Sequence, residues 1–201
     1  MQTILYQVGN KLYLNITNRC PCDCVFCIRR NGEGAYGSDS LWLDREPTVE
    51  EVVRELSARD LDSYEEIVFC GYGEPLTRLN DVIEICEYLR TATKTPIRVD
   101  TNGLSDLMEG AGTAHRLEGL IDALSVSLNA PTAGEYVEVT RPVYGTEAYA
   151  AMLHFAREAK KYVPKVTFTM IGILPPDRIA ACQAIADEMG IPLRVRAHIQ
   201  N

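Results

Sequence analysis

The chain has 201 residues, is 46% hydrophobic and 24% charged, and carries a formal net charge of −8. That composition fits a single globular domain, residues 1–201, with a sizeable core, and excludes a chain disordered throughout. The acidic balance gives no bulk attraction to nucleic acid or to an anionic membrane surface, and no apolar run reaches the roughly 18 residues that would cross a bilayer.

The opening MQTILYQVGNK lacks a basic flank followed by a long apolar stretch, so the cytoplasm is the expected compartment. The first strand pattern is KLYLNIT, residues 11–17. Its Asn15 begins a glycosylation-like triplet, but inside a predicted buried strand of a cytoplasmic chain that reading has no context. Directly after it, NRCPCDCVFC places four of the seven cysteines within eight residues. An odd count in a reducing compartment argues for metal binding or thiol chemistry over a disulfide framework.

Residues 28–46 are long for a strand-to-helix connection, which marks a functional or disordered segment. Arg29, Arg30, Trp42 and Arg45 are its candidates for touching an anionic or flat substrate. GEGAYG, residues 32–37, matches a dinucleotide fingerprint in letters only, since it follows no strand and opens no helix. PTVEEVVREL then reads as a helix, with Thr48 and Glu51 in capping-box positions.

EEIVFCG, residues 65–71, is the second strand, followed by GYGEPL and a helix that puts Val82, Ile83, Cys86 and Leu89 on one face. PIRVDTNG and IDALSVSLN are the third and fourth strands, ending in Thr101, Asn102 and Gly103 and in Ser127 to Pro131. A helical pattern over 148–163 stops at Pro164, and KVTFTMIGI follows as the fifth strand. A last helix starts at Pro175 and Pro176 and stops at Gly190 and Pro192. LRVRAHI is the sixth strand, and of the three histidines only His198, at its end, has a place near a ligand site.

Strict alternation of strand and helix implies βαβ units and a parallel sheet with right-handed crossovers. Six units are too few for the usual eight-stranded barrel of about 250 residues. An open partial barrel and a flat doubly wound sheet both satisfy the pattern. In either, ligands gather at the carboxyl ends of the strands, where the cysteine loop, GYGEPL, TNG and SLNAP all fall.

Cys20, Cys24 and Cys27 form a CxxxCxxC spacing, unlike the four-thiolate loops of ferredoxins. Three ligands leave one iron of a cluster open. The segment resembles the radical S-adenosylmethionine (radical SAM) superfamily, and the resemblance extends over nearly the whole chain. It implies an open-sided, partial (βα)6 TIM-like barrel of parallel strands. It also implies one four-iron four-sulfur (4Fe-4S) cluster on Cys20, Cys24 and Cys27, with S-adenosylmethionine chelated at the open iron. Phe26 matches the aromatic position near the adenine. GYGEP resembles the glycine-glycine-glutamate motif that holds the methionine ammonium, which assigns Gly71, Tyr72, Gly73 and Glu74. SLNAP resembles the fourth-strand segment that touches ribose or carboxylate, through Ser127 and Asn129. Arg141 in TRP looks like the arginine that pairs with the carboxylate, and Thr101 and Asn102 stand where the third strand commonly lines the pocket. The short chain is most similar to the small radical proteins associated with TatD-type nucleases.

The resemblance implies reductive cleavage of S-adenosylmethionine to methionine and a 5′-deoxyadenosyl radical that abstracts hydrogen from a substrate. A one-electron reductant such as flavodoxin or ferredoxin and an unidentified substrate are the expected partners. Two other readings stay open: a glycyl-radical activase acting on a protein partner, and a non-enzymatic electron carrier or zinc-stabilised module, although zinc modules usually show two separated ligand pairs. Cys22 lies outside the family pattern and reads more simply as an incidental or outward-pointing small side chain than as a contact to a second ligand. Cys86 and Cys182 sit on apolar helix faces as core residues, and Cys70 ends a buried strand.

Overall fold

The computed structural model describes residues 2–30, 32, 34, 35 and 37–197. His198 lies outside them. Seven strands form one sheet: β1 (Leu5–Val8), β2 (Lys11–Leu14), β3 (Glu66–Phe69), β4 (Ile97–Thr101), β5 (Ala123–Ser127), β6 (Lys165–Ile171) and β7 (Leu193–Arg196). They lie in sequence order, with β1 antiparallel to β2 and every later pair parallel. A doubly wound sheet would reverse its strand order at a switch point. None occurs here, and the sheet is the open, partial barrel.

The six parallel strands are those expected from the sequence. β1 is additional. It joins β2 through a two-residue turn at Gly9 and Asn10, where Gly9 has φ +58°, a left-handed conformation that glycine adopts without steric cost.

Among the described residues six α-helices accompany the sheet: α1 (Val49–Ser57), α2 (Leu79–Ala92), α3 (Ser105–Glu109), α4 (Ala133–Thr140), α5 (Glu147–Ala159) and α6 (Pro176–Met189). Thr48 and Glu51 close a reciprocal capping box at the start of α1, each side chain bonded to the other's backbone N–H, which satisfies two donors that have no partner within the helix. In α2 the buried face is Val82, Ile85, Cys86 and Leu89, with the expected Ile83 only at its margin. α5 ends at Ala159, before the predicted stop at Pro164, and α6 ends on left-handed Gly190. No helix among the described residues is long and apolar enough to cross a membrane.

Side chains alternate across a strand, and here the two faces differ in kind. Leu12 and Leu14 pair in register with Ile67 and Phe69, followed by Ile97 and Val99, Leu124 and Val126, then Val166 and Phe168. These residues meet the helices in one continuous core. The opposite, concave face carries Tyr13, Arg98, Asp100, Ser125, Thr167, Thr169, Arg194 and Arg196. A closed barrel would fill that space with packed branched side chains. Leaving it polar suits a lumen that receives a ligand.

Candidate active site

The loop after β2 is held from both ends. Asp23 N–H donates to Thr140 O (3.0 Å), Val25 N–H to Val139 O (2.9 Å), and Val143 N–H to Pro21 O (2.9 Å), so residues 21–25 run as a short antiparallel bridge along the end of α4 and its exit. Cys20, Cys24 and Cys27 are half-buried free thiols on this frame. Arg29 Nε donates to Cys27 Sγ (3.3 Å), and its other nitrogens bond Asn18 O and Cys22 O. Asn102 Nδ2 donates to Sγ of both Cys20 (3.9 Å) and Cys22 (3.8 Å).

Cys22, expected to be incidental, is buried among core residues and next to its neighbours' sulfurs. Its hydrogen bond is the main reason Cys20 is drawn down to about 6. Burial opposes that shift, while Arg29 and Asn102 add to it. The Cys22 thiol is itself pushed up, by the bonds to Cys20 and Cys24 and by burial. The outcome is a thiolate-ready Cys20 with a protonated donor beside it.

The turn after β3 is pressed against the end of β2. A Cβ on Gly73 would stand 2.4 Å from Thr17 O and 2.6 Å from Arg19 O, and one on Gly71 would stand 2.2 Å from Asn15 Oδ1. Only glycine allows that approach. Glu74 N–H then donates to Arg19 O (2.8 Å), locking the turn onto the cysteine loop. The Glu74 carboxylate is buried, with Oε1 accepting from Thr101 Oγ1 (2.7 Å) and Leu76 N–H (3.0 Å), and Oε2 from Asn102 N–H (2.7 Å). Burial, with the Cys20 charge, pushes it up to about 8 against those three donors. A cation arriving beside it would favour the ionised form.

Tyr72 turns its ring away from the turn. Its hydroxyl donates to Gly32 O (2.8 Å) and its ring meets Trp42 edge-on at 5.0 Å, so it roots the long loop. Of the other expected site residues, Thr101 and Asn102 organise Glu74 and the thiols as described. Ser127 ends β5, and Asn129 just beyond is buried with φ 58°. Arg141 caps α4 with φ 45°, and its exposed guanidinium lies 3.9 Å from Asp23. Asn129 and Arg141 are the positive-φ non-glycine residues among those described, and such backbone clusters at functional sites.

A cavity of about 560 Å³ opens in the lumen beside the cysteine loop, within the range of small-molecule sites. Cys24, Phe26, Cys27 and Gly71 line it from one side, and Ile171, Arg194 and Arg196 from the other. Thr101, Ser127, Asn129 and Arg141 are not among its lining residues.

In the long loop the four candidate side chains make contacts within the chain. Arg29 clasps the cysteine loop and lies 5.9 Å over the Trp42 ring, Arg30 pairs with Asp23, and Arg45 pairs with Glu51. Each of these side chains has a partner within the chain, and Arg30, Trp42 and Arg45 also face solvent, as an exposed charged loop would. Asn15, set aside in the sequence, is a central bracket: its Nδ2 donates to Thr3 O (3.0 Å) and Leu41 O (2.8 Å), and its Oδ1 accepts from Tyr72 N–H (3.2 Å). Its position two residues before the loop, at the end of an apolar strand, was the available signal, since a buried amide must find partners.

The donor set therefore fits a cluster: three thiols on a pre-shaped loop, N–H donors on two of the sulfurs, and a cavity adjoining them. Comparison with known proteins agrees. The family model described as the radical SAM superfamily matches residues 14–182. A GTP 3′,8-cyclase of Corynebacterium glutamicum strain R is 32% identical over 146 residues, covering 67% of this chain and 35% of that protein. The chain thus spans about a third of that relative's length. Among solved structures, SuiB of Streptococcus suis bound to S-adenosylmethionine superposes with a TM-score of 0.67 at 14% identity, over 94% of this chain and 40% of that one. A radical SAM methyltransferase from Sphaerobacter thermophilus gives 0.59 at 19% identity, over 96% of this chain and 68% of that one. With a family match running from β2 into α6 and the cysteine loop, glycine-glutamate turn and open barrel in register with it, the chain belongs to the radical SAM superfamily.

Proposed function

We propose that this protein is a radical SAM enzyme in which Cys20, Cys24 and Cys27 hold one 4Fe-4S cluster and the adjoining turn and cavity hold S-adenosylmethionine. The observation that carries the reading is the convergence of the three thiols, Phe26 and the glycine-glutamate turn at the carboxyl ends of β2 and β3, beside one cavity. When bound, the pair supplies one-electron cleavage of a carbon–sulfur bond and a 5′-deoxyadenosyl radical able to take hydrogen from an unactivated carbon.

The chain's own work is positioning. The backbone of Gly71, Tyr72 and Gly73, with Glu74, would receive the methionine ammonium, and Thr101 with the Asn102 N–H holds the Glu74 carboxylate in place for it. Phe26 would pack on the adenine, Ser127 and Asn129 would meet the ribose or carboxylate, and Arg141 would meet the carboxylate. Arg29 and Asn102, donating to ligand sulfurs, would stabilise negative charge on the reduced centre. A flavodoxin or ferredoxin would deliver the electron in the cytoplasm, where thiols stay reduced.

The test is anaerobic. The chain is reconstituted with iron and sulfide, reduced with dithionite, given S-adenosylmethionine and assayed for 5′-deoxyadenosine. Product is expected from the wild type and from none of Cys20→Ala, Cys24→Ala or Cys27→Ala, each of which should also lose the cluster's absorption. Wild-type turnover in any of the three overturns the assignment, and an intact, reducible cluster with no product favours an electron carrier.

A further inference from the structure

The concave face of the sheet carries a charge imbalance. Its strands supply two carboxylates, Glu66 and Asp100, and both are taken. Glu66 lies 2.7 Å from Lys11 and 3.1 Å from Arg98, and Arg98 also pairs with Asp100. Arg194 and Arg196, successive inward positions on β7, have no ion-pair partner among the described residues; no Asp or Glu lines the cavity that both enter, while the exposed Arg194 also borders a second pocket whose lining includes Glu66 and Asp122. Arg196 Nε is sealed from solvent and hydrogen-bonds nothing among the described residues. A buried guanidinium N–H without an acceptor is costly to the fold, and native structures retain such groups where a ligand completes them.

Position sharpens the point. Arg196 pairs in register with Ile171, and Gly172 N–H donates to Arg196 O (2.9 Å), so its backbone is fixed at the carboxyl end of the sheet. Arg196 is near enough to Cys70, at the end of β3, for its charge to oppose the burial and the Asp100 charge that push that thiol up to about 12. Across the cavity stand Phe26 and Cys27, and the walls between are mostly apolar, as at Ile28, Leu41 and Ile171. S-adenosylmethionine itself does not meet this need. Its sulfonium and ammonium would be repelled by guanidinium groups, and its carboxylate is assigned elsewhere.

We propose that Arg194 and Arg196 bind an anionic group of the substrate, a phosphate or a carboxylate, and so hold a small anionic organic molecule with its body along the apolar wall at Ile171, on the side of the cavity away from the Phe26 face that is left to the adenine. Arginine suits either group, since its planar fork matches both bidentately. The site thus selects for a substrate with one charged end and an apolar or aromatic body, and the radical chemistry proposed above, on which this assignment rests, would act on that body.

The reconstituted full chain with S-adenosylmethionine is titrated calorimetrically with phenyl phosphate, phenylacetate and neutral benzyl alcohol. At least one anionic probe is expected to saturate one site per chain, with benzyl alcohol at least about tenfold weaker, and Arg196→Met and Arg194→Met each losing about tenfold or more. Arg196→Lys should recover part of that loss. The stronger of the two anionic probes identifies phosphate or carboxylate as the natural group. Saturation by neither, equal binding of benzyl alcohol, or unchanged affinity in the methionine variants overturns the proposal. If Arg196→Met does not fold, Arg194→Met and Arg196→Lys decide the same question. Assaying 5′-deoxyadenosine on the same samples separates the two claims. Cleavage without probe binding removes the anion site and leaves the radical function, and arginine-dependent binding without cleavage does the reverse.

Discussion

Gly73→Ala is the sharpest test of how the site is assembled. The added Cβ would sit 2.4 Å from Thr17 O and 2.6 Å from Arg19 O, whereas real Cβ contacts are essentially never under 3.0 Å. Both obstacles are backbone, so no side chain can swing aside, and about 0.6 Å must open between the β3 turn and the end of β2. Forced overpacking of this kind costs about 1–3 kcal/mol, which for a domain of this size lowers the melting temperature by roughly 3–10 °C. The same opening stretches the bond from Glu74 N–H to Arg19 O, now 2.8 Å, and carries Glu74 off its place. Misplacement on this scale can cost about a hundredfold in rate. Thermal denaturation of the metal-free chain reads the first effect, and 5′-deoxyadenosine formation by the reconstituted chain reads the second. Gly134→Ala, in α4 where an added Cβ meets nothing within 4 Å, serves as the control without a clash and should be unchanged or more stable by up to about 1 kcal/mol. A Gly73→Ala protein that melts within about 1 °C of wild type and cleaves at the wild-type rate refutes the reasoning, because the close approach would then have no consequence.

Two further predictions concern buried polar groups. Glu74 keeps its proton in the native state up to about 8, while the unfolded chain releases it near the ordinary value of 4.5. The unfolded state therefore binds fewer protons between those values, and this residue's contribution to stability falls as pH rises through that window and levels off above it. In urea titrations of the metal-free chain, the stability difference between Glu74→Gln and wild type should move in favour of Glu74→Gln by on the order of 2–4 kcal/mol between pH 5 and pH 8, and a difference that stays flat contradicts the raised value. Asn15→Ala strands two carbonyls and one N–H in a fully buried position. It should destabilise the chain by about 3 kcal/mol or more, and a loss under about 1 kcal/mol by the same titration would show that the bracket is dispensable.

The parallel strands were legible because each is an apolar run bounded by turn residues; strict alternation with helices gave parallel pairing but left two strand orders open, and only the family resemblance pointed to the sequential one. β1 was not, since four residues, Leu5–Val8, carry too little pattern, although Gly9-Asn10 is a two-residue hairpin connector that could have marked it. α4 was missed for a related reason. AGEYVEVT holds a glycine and β-branched residues of low helix propensity, and its start shows only in Thr132, whose side chain accepts from Glu135 N–H. In the site, the thiols and the glycine-glutamate turn were readable because chemistry restricts which residues can occupy them. Asn15 and the two β7 arginines were not, because the partners of Asn15 lie 12 to 57 residues away and the cavity that receives the arginines is lined by residues more than 100 positions earlier in the chain. A linear pattern carries no record of such distances.

The bridge between residues 21–25 and the exit of α4 has a consequence for the life of the centre. Its backbone bonds involve no thiol, so the course of residues 21–25 is tied to the end of α4 and its exit independently of what the thiols hold. Most small metal sites are ordered by the ion they hold and collapse without it. A socket tied in this way would outlast the loss of the cluster proposed above, so that restoring it would call for refilling rather than refolding.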